Sequence, residues 1–187
     1  MDSKAQPEKL PNTVAFQDKF TRESMVSPKE VKEGYYLFRS RTGGFTMWFP
    51  KDAKINRGLY EKHDKYYESS VIAGVREEEN IIYYIDMVYE NRNITNVIDV
   101  NLSLLSDYAN YNGKYTKIEA NRNTIYFAKN ENDISVDNKK ILIINFFPML
   151  NPITVLKQYG SYTGSVARTR PRGVISMWPK RKNWRKC

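Results

Sequence analysis

The residues of this chain that could support acid–base or nucleophilic chemistry are few and far apart. The single histidine, His63, precedes Asp64 in the sequence YEKHDKYY, and the single cysteine, Cys187, is the last residue. A base must reach the proton that it abstracts, and sequence neighbours seldom face each other in that way. A nucleophilic thiol needs an adjacent base and a structured pocket. We therefore predict a polar surface loop at His63 and an inert terminal thiol at Cys187.

Two acidic features could also carry chemistry. Glu77, Glu78 and Glu79 are adjacent, and adjacent carboxylates point in different directions, unlike an alternating calcium loop. We favour a solvated turn over a cation site. Asp86 interrupts an apolar strand and lies either on its solvent face or in an inward pocket. We predict no catalytic residue, no metal site and no cofactor, and the chain is not expected to be an enzyme.

The strongest functional feature is an uneven distribution of charge. Eleven of the 30 basic residues follow Asp137, the last acidic residue, which leaves 19 basic and 21 acidic residues in the preceding body. Eight basic residues lie between 168 and 186, interleaved with tryptophans. Such a segment suits an anionic polymer or a lipid surface, where aromatic rings lie at the interface. The candidate polyanion-binding residues are Arg168, Arg170, Arg172, Lys180, Arg181, Lys182 and Arg185, with Trp178, Trp184 and Trp48 as interfacial aromatics.

Three interpretations of this segment stay open. It is a solubilising terminus, an anchor to an anionic membrane surface or cell-wall polymer, or a nucleic-acid-binding tail with stacking tryptophans. Nucleic acid is less favoured because the body adds no net positive charge to the path. A protein partner is left open as a further alternative, and the sequence does not indicate the oligomeric state. An enzyme with an unrecognised site is a further alternative.

The elements around these residues are mainly strands. The stretch GGFTMWFP follows a first strand at 35–40, and its glycines suit a hairpin turn, with Phe45, Met47 and Phe49 on one face and Trp48 on the other. Further strands are predicted at 67–75, 80–90, 114–120, 123–130 and 139–150. A helix is predicted at 96–109 from the spacing of its apolar residues.

The chain ends are predicted to be less regular. Residues 1–33 are expected to form a polar tether and a short helix, since Ser27, Pro28 and Glu30 fit a capping box. A single domain is expected at 34–160, ending in a helix at 153–159, and a basic C-terminal segment at 161–187. Strand runs with few helices predict an α+β fold, an antiparallel sheet of about six to seven strands with packed helices.

The hairpin motif and the order of elements resemble those of PsbP/Mog1-like domains over residues 35–160. The resemblance implies an αβα sandwich and a non-enzymatic accessory or binding module. The residue usage resembles that of a Gram-positive bacterium, and the polar start DSKAQPEKLPNT resembles the tether of a bacterial lipoprotein. Under this hypothesis Met1 replaces a signal and a lipidated cysteine. The protein would then be extracytoplasmic and lipid-anchored.

Overall fold

Antiparallel strand pairing dominates the fold. The computed structural model describes residues 9–93, 97–120, 123–136, 139–151 and 155–165. The helices are α1 Val14–Gln17, α2 Lys19–Arg22 and α3 Ile98–Ala109. The strands are β1 Met25–Lys32, β2 Tyr35–Arg39, β3 Thr46–Pro50, β4 Ala53–Ile55, β5 Glu61–His63, β6 Tyr67–Arg76, β7 Ile81–Glu90, β8 Thr116–Ala120, β9 Asn123–Val136, β10 Lys139–Asn151 and β11 Val155–Ser165.

The strands form two sheets. β1, β2 and β3 make a three-stranded sheet in that order. The larger sheet has the order β4-β6-β7-β11-β10-β9-β8, with β5 also paired to β6. The pairs β6–β7, β8–β9 and β9–β10 join strands that follow each other directly in the chain. Links this short permit only antiparallel pairing, as the sequence predicted.

The main core lies between the inner faces of the two sheets. In β6 burial alternates strictly, so Ile72 is buried while its neighbours Val71 and Ala73 are only partly covered. The short helices α1 and α2 close one side, where the ring of Phe16 meets that of Tyr36 edge-on at 4.7 Å. The core consists of Ala15, Phe16, Tyr36, Phe38, Phe45, Phe49, Ala53, Ile55, Ile72, Tyr83, Ile85, Met87 and Tyr89.

A second, smaller core covers the opposite face of the larger sheet. Leu105 of α3 is fully buried against Met149 of β10 and Ala128 of β9. Met149 lies opposite Tyr126 of β9 and opposite Lys157 of β11, and Lys157 lies opposite Val88 of β7. These positions therefore form one row across the sheet and share one of its faces. Val88 points away from the main core, because Met87 and Tyr89 on either side of it are buried there. The helix therefore packs on the outer face of the sheet.

The predicted α+β class is confirmed, and most predicted elements are present. The hairpin at 35–50, the strands of β6 to β10 and the helix at 96–109 are found close to their expected bounds. The larger sheet has eight strands, close to the six to seven expected, and a separate three-stranded sheet adds to them. Short strands such as β4 and β5 carry too few residues to show a period. Helix content is modest.

Two predicted helices are wrong. Residues 27–32 belong to β1, which pairs with β2 at Met25, Glu30 and Lys32 through irregular register. β1 is an edge strand, where Pro28 leaves no ladder bond unmade, and Gly34 with φ +82° turns a hairpin and ends no helix. Residues 155–159 belong to β11, whose backbone pairs with both β7 and β10. An interior position between two strands overrides local helical preference.

The segment predicted as a tether contributes to the core. Ala15 and Phe16 of α1 are buried, and the amide of Ala15 donates to the carbonyl of Lys51. Thr21 is fully buried, and its hydroxyl accepts a hydrogen bond from the amide of Ile55 at 2.8 Å. These contacts place residues 14–22 on the folded body.

Candidate functional site

The hairpin of β2 and β3 presents Trp48 on the outer face of the three-stranded sheet. Alternation along β3 buries Phe49 and half-buries Met47, whereas Thr46 and Trp48 point outward. Leu37 of β2 lies directly opposite Trp48. The indole keeps 37% of its surface exposed. The predicted alternation of this strand is confirmed, and Trp48 is an accessible aromatic side chain.

A lysine and a tyrosine flank the indole. Lys32 lies opposite Tyr35 across the β1–β2 turn. Its Nζ is 5.3 Å from the centroid of the Trp48 ring and 5.8 Å from that of Tyr35, and the two ring centroids are 6.4 Å apart. Cation–π contacts at exposed sites contribute about 0.5–1 kcal/mol each. We call Lys32, Tyr35 and Trp48 the Trp48 face, a cationic and aromatic surface.

A polar cluster anchors this face to the larger sheet. Arg76 donates through Nη2 to the hydroxyl of Tyr35 at 3.3 Å and through Nε to Asp52 Oδ2 at 3.2 Å. The hydroxyl of Tyr83 donates to Asp52 Oδ1 at 2.5 Å. Burial, followed by the hydrogen bond to Asp52, raises the pKa of Tyr83 well above its ordinary value. Tyr83 therefore remains a neutral donor, and the cluster joins the two sheets beneath Tyr35.

A buried carboxylate holds the turn of the same hairpin. Glu68 of β6 is fully buried and accepts hydrogen bonds from the amide of Arg41 at 3.1 Å, the amide of Thr42 at 2.9 Å and the Thr42 hydroxyl at 2.9 Å. Burial, followed by the negative charge of Glu68, raises the pKa of Tyr60. Gly44 lies so close to Tyr89 that an added Cβ would be 2.1 Å from the ring. These contacts fix the hairpin that carries Trp48.

The other residues considered for chemistry lie apart from this face. His63 is exposed at the end of β5, where its Nε2 contacts the carboxylate of Glu61. The turn at 77–79 is exposed, which confirms the predicted solvated turn. Asp86 is half-buried on the outer face of β7 and accepts a hydrogen bond from the Tyr108 hydroxyl at 3.0 Å. We assign none of these residues a catalytic role.

Among the predicted site residues, Trp48 lies within the described ranges, and its exposure is that expected of a contact residue. In those ranges no cluster of three or more histidine, cysteine, aspartate or glutamate residues could hold a metal ion. The same ranges contain no helix with the length and apolar character needed to cross a bilayer. The remaining predicted site residues lie outside the described part of the chain: Arg168, Arg170, Arg172, Trp178, Lys180, Arg181, Lys182, Trp184 and Arg185.

Comparison with known proteins assigns the chain to a family. A family profile described as "Putative lipoprotein YvcA", of Mog1 type, matches residues 11–155. The chain belongs to this family. A protein of the same description from Bacillus subtilis (strain 168) is 35% identical over 124 residues, which cover 66% of this chain and 52% of that relative. The chain thus spans about half the length of the relative that it matches.

The family assignment confirms the resemblance to Mog1/PsbP-like domains that the hairpin motif indicated. The matched residues begin at 11 and therefore include α1, α2 and β1, which pack on the described body. No solved structure is significantly similar to the chain.

Sequence reasoning missed the partners of Trp48. Lys32 and Tyr35 flank Glu33 and Gly34, and a two-residue turn containing glycine is a recognised hairpin signal. The capping-box pattern before them predicted a helix instead of a strand, so the sequence did not place the two residues opposite each other. Asp52, Arg76 and Tyr83 come from three separate segments, and nothing in their spacing indicates that they meet.

Proposed function

We propose that this protein is a non-catalytic, extracytoplasmic domain of a lipid-anchored protein that contacts phosphate-bearing envelope material. The envelope ligand is an anionic phospholipid headgroup or a teichoic-acid-like polymer. Membership of a family described as lipoproteins supports the location and the anchor. The observation that carries the ligand class is the run of eleven basic residues, without an acidic one, after Asp137.

The contact is proposed to run through the basic C-terminal segment. Each lysine or arginine near an anionic membrane surface contributes roughly 1 kcal/mol, so the eight basic residues between 168 and 186 contribute up to roughly 8 kcal/mol when all of them reach the surface. Trp178 and Trp184 would lie at the interface between headgroups and acyl chains, where indole rings are favoured. The binding residues are those predicted above from Arg168 to Arg185.

The Trp48 face supplies a second contact of the same chemistry. Lys32 and Arg39 are exposed on the three-stranded sheet, and the Nζ of Lys32 lies 5.3 Å from the centroid of the exposed Trp48 ring. A cation beside an exposed aromatic ring suits a surface that is anionic outside and apolar beneath. Because the supporting clusters fix the hairpin, this face loses little conformational entropy on contact.

Co-sedimentation tests the proposal with vesicles of anionic or zwitterionic lipid and with isolated cell wall, at low and high salt. We expect binding to anionic vesicles or wall that falls as salt rises. Arg168, Arg170 and Arg172 replaced together by glutamine should weaken it, whereas the same replacement of the exposed Lys29, Lys62 and Lys65 should not. Binding that survives deletion of residues 168–187 would rule out this site.

A titration with DNA or RNA separates the proposal from the nucleic-acid alternative. Nucleic-acid binding through the same segment would give a steep linear dependence of log affinity on log salt. Saturable binding to nucleic acid that is tighter than binding to vesicles or wall would favour that alternative over the envelope ligand.

A further inference from the structure

An exposed apolar surface lies on the outer face of the larger sheet, away from the Trp48 face. Val75 of β6 pairs with Ile82 of β7, and Ala73 pairs with Tyr84. These positions share a face with Val88, outside the main core. Val75, Ile82 and Tyr84 are 50%, 45% and 43% exposed. The described part of α3 packs on β9 and β10 and leaves this end of β6 and β7 uncovered.

The outward side of α3 continues this surface. Val97, Val100, Leu104 and Tyr108 follow each other at spacings of three and four, so they form one stripe along the helix. All four are exposed, Leu104 at 53% and Tyr108 at 65%. The hydrogen bond from the Tyr108 hydroxyl to Asp86 joins the stripe to the face of β7. We call this surface, Val75, Ile82, Tyr84, Val100, Leu104 and Tyr108, the β7–α3 face.

The surroundings of the β7–α3 face are mainly acidic, and two lysines lie at its margins, the exposed Lys54 opposite Ala73 and Lys157 opposite Val88. Residues 77–90 and 97–109 contain no lysine, arginine or histidine. Exposed carboxylates lie at both ends, with Glu77–Glu79 in the turn before β7 and Asp99 and Asp107 on α3. An exposed apolar surface with a mainly acidic border is typical of an interaction site, and its charge favours a basic, partly apolar occupant.

The basic C-terminal segment of this same chain, residues 166–187, has that chemistry. It contains eight basic residues and no acidic one, with apolar residues at Val174, Ile175, Met177 and Trp178 between the two basic groups. It also begins in the right place. β11 ends at Ser165, and its residue Gly164 lies opposite Ile81, the first residue of β7. The last described strand therefore ends beside the acidic turn and the exposed Ile82.

The length of the segment is sufficient to cover the surface. Its 22 residues span up to about 70 Å when extended, whereas the twelve residues of α3 span about 18 Å.

Attachment within the same chain raises the effective concentration of the segment to the millimolar range, so weak contacts suffice. We propose that residues 166–187 dock on the β7–α3 face of their own chain. Docking does not require the proposed envelope function, but an anionic polymer would compete for the same basic residues.

Cys187, as the single cysteine at the end of the segment, allows the test on the unaltered chain. A nitroxide label on Cys187 broadens the NMR signals of nearby amides in the isotopically labelled full-length protein. We expect broadening concentrated on α3 and on the outward positions of β6 and β7. It should weaken at about 1 M salt, where the Debye length is about 3 Å. Uniform broadening, or broadening centred on the Trp48 face, would overturn the proposal.

Two further experiments test the electrostatic nature of the docking and whether it occurs within one chain. Asp99→Asn with Asp107→Asn should reduce the broadening on α3, whereas Asp64→Asn with Asp133→Asn, both exposed elsewhere, should leave it unchanged. Equal effects of the two variants would count against electrostatic docking. A mixed sample tests whether the segment docks on its own chain or on a second copy. It combines protein that carries the nitroxide but no isotope label with protein that carries the isotope label but no nitroxide. Broadening in that mixture equal to that within one chain would replace the proposal with docking on a second copy.

Discussion

Replacing Glu68 by alanine removes the acceptor of three donors in the β2–β3 turn. These are the amides of Arg41 and Thr42 and the hydroxyl of Thr42. A donor left without a partner in a buried site costs about 1–3 kcal/mol, and water can reach part of this turn. We therefore expect a loss of about 3–5 kcal/mol in the free energy of unfolding, a large share of the roughly 5–15 kcal/mol typical of a domain.

Urea unfolding followed by circular dichroism measures this loss. With a slope of about 2 kcal/mol per molar urea, the midpoint should fall by about 2 M. Glu68→Gln keeps one acceptor oxygen and should lose roughly half as much. Glu78→Ala, in the exposed turn at 77–79, should change stability by less than about 0.5 kcal/mol. If Glu68→Ala loses no more than Glu78→Ala, the carboxylate does not hold the turn and the reasoning fails.

Three further predictions follow from the site. Gly74→Ala places a Cβ 2.2 Å from the buried ring of Tyr83 and should cost about 1–3 kcal/mol in thermal unfolding, whereas Gly58→Ala, 3.4 Å from its nearest atom, should be close to neutral. Because the folded pKa of Tyr83 is raised above its ordinary value of 10.0, its contribution to stability is complete below pH 10 and declines above it, by up to about 1.4 kcal/mol per pH unit. Tyr83→Phe should flatten that decline in urea unfolding, and an unchanged slope would contradict the assignment. Trp48→Ala should leave stability within about 1 kcal/mol but weaken binding to anionic vesicles roughly fivefold, measured by co-sedimentation; equal binding would remove Trp48 from the contact.

Much of the fold follows from local patterns. Alternation along β3 placed Met47 and Phe49 inward and Trp48 outward, because successive side chains of a strand point to opposite faces whatever the partner strand is. The helix at 98–109 followed from the 3.6-residue period in the same way. Residues 27–32 and 155–159 were misassigned, because their local signals favour helices while they lie in strands that pair with their neighbours.

The candidate site was only partly predictable for the same reason. Trp48 was identified as an exposed aromatic from its own strand. Its neighbours Lys32 and Tyr35 depended on the β1–β2 pairing, and its support by Arg76 depended on how the two sheets stack. The burial of Glu68 had no local signal, because a carboxylate in an alternating strand can face either side.

The sequence by itself determined the α+β class, the family, the alternation within most strands and the separation of a slightly acidic body from a basic C-terminal segment. These properties depend on residue types and on short spacings along the chain. Only the tertiary structure decided that a cation lies beside Trp48, that Glu68 is buried under the hairpin turn and that the β7–α3 face is exposed. Each depends on which distant segments pair and stack, and that is set by the packing of the two sheets.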